Sequence, residues 1–97
     1  MQQLHFNPAG VTQMSNETQA KGEAFIQALI DEGHSYESMK AGFLTCAMRR
    51  GLRLGKGEVG RAAKVLKAHR NTLWKLDKLL GMGSFREQLK AEAAAAK

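Results

Sequence analysis

Apolar side chains recur along the chain at spacings of three and four, and no segment alternates with period two, so the pattern predicts helices almost throughout. The first helix is expected from about Asn16 to Glu32, with Ser15 or Asn16 as N-cap, Glu17 at the positive end of the dipole and Gly33 as the stop. It carries two neighbouring stripes, Phe25 with Ala28 and Leu29, and Ile26 with Ile30. The second helix is expected from Ser35 to Arg50, before Gly51, with Met39, Phe43 and Ala47 on one row and Leu44 and Met48 on another. Both helices present more apolar surface than a single contact hides. In a chain of 97 residues that surplus points to a homodimer held through Phe25, Ile26, Leu29, Ile30, Met39, Phe43 and Ala47, the other reading being a monomer in which the two helices cover the basic unit.

Between Arg50 and Glu58 the run RGLRLGKGE reads as a connector whose basic side chains are free to meet a phosphate backbone. It lacks the spacing of a nucleotide-binding P-loop. A short third helix follows, with Val59, Ala62, Ala63 and Leu66 on one stripe. After a break at Lys67, Ala68 and His69, a fourth helix runs from Arg70 to Leu80 and ends at Gly81. Two short helices joined by a turn, the first facing the second with alanines, follow the plan of a helix-turn-helix. On the fourth helix Leu73, Leu76, Leu79 and Leu80 are expected on the buried arc, with Arg70, Asn71, Trp74, Lys75 and Lys78 opposite and Thr72 at the edge. Arg and Lys can pair with phosphates or guanine, Asn with adenine, and Thr can donate to a phosphate.

A fifth helix is predicted from Ser84, where Ser84 and Glu87 form a capping-box pattern, with Phe85 and Leu89 one turn apart. The Ala-rich end is expected to fray or act as a spacer. Residues 1 to 14 are expected to form a mobile arm with Leu4 and Phe6 as anchors. The predicted organisation is thus arm 1–14, dimerisation helices 15–51, helix-turn-helix unit 52–82 and C-terminal helix 83–97. The fold class is all-α.

Charge sharpens this picture. The net charge is +6, but residues 1–48 carry −3, residues 49–78 carry +8 and residues 79–97 carry +1. The basic excess therefore sits in about one third of the chain, as a polyanion-binding face requires. Arg53, Lys56, Arg61, Lys64, Lys67, His69, Arg70, Asn71, Thr72, Trp74, Lys75 and Lys78 are the candidate DNA-binding residues. Trp74 has two readings: contact with a thymine methyl or sugar, or burial as core, which its large apolar area favours. The one cysteine, Cys46, reads as a small core residue, and a chain without disulfides suits a reducing cytoplasm. His5, His34 and His69 lie too far apart for a local metal motif, and neither CxxC nor HExxH occurs, so neither metal, cofactor nor catalysis is expected. No leader-like segment and no membrane span is expected either.

The run GRAAKVLKAHRNTLWKLDKLLGM, Gly60 to Met82, resembles the C-terminal helix-turn-helix of the Fis (factor for inversion stimulation) family, shared with nitrogen-regulator-type enhancer-binding activators. The matching residues are Arg61-Ala62-Ala63, Leu66, Arg70-Asn71-Thr72-Leu73 and Gly81-Met82, without a gap. The resemblance implies two dimer-forming helices ahead of the DNA-binding pair, and DNA contact by Arg61, His69, Arg70, Thr72 and Lys75. Three positions depart from the family pattern. Lys67 stands where the family has Gly, so either this lysine takes a positive φ or the turn differs. Asp77 replaces a family Leu, and Glu58 stands where the family often has Asn.

The expected function is transcriptional regulation or DNA architecture, by a dimer that contacts double-stranded DNA and possesses surface for another transcription protein. The alternative is a helical protein-interaction adaptor that docks through the leucine arc and Trp74. RNA binding by the basic face is a third reading, weakened by the lack of aromatic stacking platforms.

Overall fold

The computed structural model describes residues 13–96. They form five α-helices, α1 (Asn16–Asp31), α2 (Tyr36–Leu54), α3 (Val59–Leu66), α4 (Arg70–Leu80) and α5 (Gly83–Ala95), and no strand occurs among the described residues. Of the arm predicted for residues 1–14, all but Gln13 and Met14 lies outside the described residues, Leu4 and Phe6 included. The chain divides into two compact units, with the division between Met39 and Lys40, inside α2.

In the first unit, Ser15 caps α1 by accepting a bond from the Thr18 N–H at 3.1 Å, and Gly33, at φ +86°, closes its other end. Ser35 caps α2 in the same way, accepting from the Ser38 N–H at 3.2 Å. None of the sixteen residues of α1 is buried. Phe25, Leu29 and Met39 are half-buried, whereas Ile26 and Ile30 are exposed.

The second unit holds the core. Met48 and Leu52 of α2, Val59, Ala62 and Ala63 of α3, Leu73 of α4, Met82 and Leu89 of α5 are buried together, with Leu66, Leu76, Leu80 and Phe85 packed against them. The second helix does not stop at Arg50 as its glycine suggests but runs through Gly51 to Leu54. Gly51 is there for proximity: a Cβ would lie 2.7 Å from Leu66 Cδ1, so its absence lets α3 approach α2 closely. The expected connector shrinks to Gly55–Glu58, since Leu52 belongs to the core.

Three further expectations are corrected. On α4 the buried arc is Leu73, Leu76, Asp77 and Leu80, and Leu79 faces solvent at 76% exposure. At about 100° per residue, position 79 lies some 240° from position 73, whereas 77 lies within about 40° of it. Cys46 is exposed, because the inward row of α2 passes through Met48 and Leu52. The capping box does not form: α5 begins one residue before Ser84, its N-cap Met82 makes no side-chain bond, and Met82 is anchored by burial. The Ala-rich stretch remains helical through Ala95, although Ala93 alone among residues 91–96 is even half-buried.

Candidate nucleic-acid interface

The turn between α3 and α4 is three residues, Lys67–His69, and its geometry sets the direction of every basic side chain around it. Lys67 adopts the left-handed conformation, φ 54° and ψ 42°, and the Ala68 N–H donates to the Ala63 carbonyl at 3.0 Å. The helix thus ends as helices ending in glycine do, with a lysine in glycine's place. The same closure recurs at the end of α4, where Gly81 has φ 66° and the Met82 N–H donates to the Asp77 carbonyl at 3.1 Å. Of the two readings of Lys67, the positive φ is the one observed.

His69 caps α4: its Nδ1 accepts from the Asn71 N–H at 3.1 Å. That bond needs an unprotonated Nδ1, so Nε2–H is the donor left to face a ligand. Arg61, Lys64, Lys67, His69 and Arg70 border one open groove between α3 and the N-terminal end of α4. All five are exposed. Among the described residues Glu58 is the sole carboxylate lining it, and its Oε1 lies 3.6 Å from Arg61 Nε. Glu58 occupies the N-cap of α3 without a capping bond, so its side chain serves the ion pair instead.

Asn71, Thr72, Trp74, Lys75 and Lys78 are exposed on α4, and Leu79 joins them on that arc. Trp74 is not core: it retains 43% of its exposure, with the Arg86 guanidinium 5.4 Å from its ring centroid. Its burial fails because Leu73 and Asp77 occupy the inward positions of the two neighbouring turns. Asp77 is 4% exposed and accepts a bond from Arg86 Nε at 2.7 Å, which explains how a carboxylate can stand at an apolar position. Arg86 therefore joins α5 to α4 through both the carboxylate and the indole.

Arg53 and Lys56 line a groove with Leu89, Glu92 and Ala93 of α5. Arg53 sits 5.1 Å above the Phe85 ring, with Arg49 at 4.1 Å. Like Lys67, Lys56 has a positive φ, 56°. The residue that the sequence pattern missed is Lys90, which lines a groove with Lys56, Glu58 and Arg61. Its one signal is a charge in an otherwise Ala-rich helix, which marks no periodicity and no motif.

Of the expected dimer residues, Phe25, Leu29, Met39 and Ala47 are half-buried, and Ile26, Ile30 and Phe43 are exposed. Among the described residues no cluster of three or more His, Cys, Asp or Glu side chains is placed to hold a metal ion, and no helix is long and apolar enough to cross a membrane. No protein-family model, no curated protein and no solved structure matches the chain.

Proposed function

We propose that this protein binds double-stranded DNA through a Fis-like helix-turn-helix formed by α3 and α4, and that it acts in transcriptional regulation or DNA architecture. One observation carries the reading: Arg61, Lys64, Lys67, His69 and Arg70 converge on one groove that, among the described residues, contains a single carboxylate, already engaged by Arg61. Such a surface attracts a polyanion, and counterion release drives the association. Phosphate contacts by these side chains seat α4 in the major groove. Asn71, Thr72 and Lys75, in its N-terminal half, then meet base edges and phosphates.

Self-association belongs to the same reading. It is supported by an α1 without a buried residue, by exposed Ile26 and Ile30, and by the exposure of Phe43 in the other unit. A dimer would present two α4 helices to successive major grooves about 34 Å apart, and a shorter separation would require bent DNA.

The test is fluorescence anisotropy of a labelled random-sequence duplex of roughly 27 base pairs, between roughly 50 and 200 mM salt. Saturable binding with a log–log salt slope of several units is expected. Arg70→Ala should weaken specific binding, and Lys75→Ala should lower both affinity and slope. Wild-type affinity in both variants would remove α4 from the interface.

A second reading rests on Leu79 and Trp74, which are exposed at 76% and 43% on the same helix. An apolar docking strip of that kind suits a helical adaptor that binds another protein. Its binding would respond weakly to salt, where phosphate contacts respond steeply.

A further inference from the structure

The groove beside the α2–α3 loop has features that the helix-turn-helix reading does not use. It is bordered by Lys56 and Arg61 on one side and, on the other, by Lys90 and the alanines of α5, Ala93 and Ala94 among them. Three cations face one carboxylate, Glu58, and that carboxylate is paired with Arg61. The α5 wall beyond Lys90 is made of methyl groups, so among the described residues nothing bulky stands between the cations and an approaching sugar-phosphate backbone.

The position of Lys90 is set by packing. Gly57, at φ +87°, lies so close to α5 that a Cβ there would be 2.7 Å from the Arg86 carbonyl oxygen and 2.8 Å from Lys90 Cγ. The loop is thereby held against the stem of Lys90, while its neighbour Lys56 is held in a left-handed conformation that L side chains disfavour. Lys67, the other lysine with positive φ, lines the groove between α3 and α4. Both strained turns therefore place a lysine on a groove that Arg61 borders, and Arg61 is shared by the two grooves. Strained backbone positions cluster at ligand clamps and other functional sites.

We propose that α5 is part of the DNA interface: Lys90, with Lys56 and Arg61, holds a second stretch of phosphate backbone next to the stretch held by α3 and α4. The inference rests on the DNA-binding reading and extends its footprint. The ligand is the phosphodiester backbone, so the contact carries affinity and register and no base preference. Glu58 is exchanged for phosphate when DNA arrives, because Arg61 cannot serve both at full strength.

The experiment measures the salt slope of the full chain on the same duplex for wild type, Lys90→Gln, Lys90→Arg, the Lys56→Gln/Lys90→Gln double variant and Lys21→Gln. Gln retains the Cγ methylene that packs against Gly57, and thermal unfolding checks that each variant folds. Lys21, exposed on α1 and paired with Glu17 at 3.8 Å, controls for net charge. Loss of one phosphate contact should lower the slope by about 0.9, and loss of two by about 1.8. Lys90→Arg and Lys21→Gln should keep the wild-type slope.

A steep wild-type slope that both Gln variants at position 90 retain would overturn the α5 contact and leave the α3–α4 reading standing. An equal drop in Lys21→Gln would make the effect one of net charge and overturn it too. A wild-type chain that does not bind the duplex at low salt would overturn both readings together.

Discussion

Helices α1 and α3 both carry apolar residues at helical spacing, α1 in two neighbouring stripes and α3 in one, and their fates are opposite. The sixteen residues of α1 bury none, whereas the eight residues of α3 bury Val59, Ala62 and Ala63. Length therefore does not decide burial; side-chain size and neighbours do. The alanines of α3 and Gly51 of α2 allow close approach, and Gly51 would meet Leu66 within 2.7 Å if it carried a Cβ. The lesson is that the buried core is concentrated in the second unit.

The comparison is sharpened most by the buried ion pair. Asp77→Ala should destabilise the protein by about 3 kcal/mol, because it strands Arg86 against the core. Denaturant unfolding of Asp77→Leu/Arg86→Met should recover stability to within about 1 kcal/mol of wild type. A single variant as stable as wild type would show that the pair is not what joins α4 to α5.

A smaller effect of the opposite sign is expected at the turn. Lys67→Gly relieves a left-handed lysine and should add about 1 kcal/mol of stability by thermal unfolding. It should also lower the salt slope of DNA binding by about 0.9. Stability and affinity moving apart would show charge retained at a conformational cost, and a variant that gains neither would dismiss the strain. The smallest effect on folding is expected in α1, where Ile30→Ala should change unfolding stability by less than about 0.5 kcal/mol. The same substitution should weaken self-association in sedimentation velocity. A loss of folding stability of about 2 kcal/mol would place Ile30 in a core and break the contrast.

Much of this architecture was legible in residue spacing. The apolar stripe of α3, the Arg70–Leu80 span of α4 and its glycine stop appear in the structure at the boundaries the spacing predicts. So does the basic arc of α4, since Arg70, Asn71, Lys75 and Lys78 are all exposed. The end of α2 was not legible, because a glycine that stops a helix and a glycine that admits a neighbour look identical until the neighbour is in place. Leu79 was misassigned for a related reason: an apolar residue advertises burial, and a carboxylate advertises exposure, irrespective of where Arg86 will be.

The sequence alone determined that the chain is helical and that its basic residues concentrate in one third of its length, because both follow from local spacing and from counting. Tertiary structure decided the rest. It turned Asp77 inward by supplying Arg86 at 2.7 Å, left Trp74 and Leu79 in solvent, and brought Lys90 to a groove with Lys56 and Arg61, which lie about thirty positions earlier in the chain. Contacts of that separation leave no periodic trace in a sequence, since nothing in the spacing of one helix records which side chain of another will meet it.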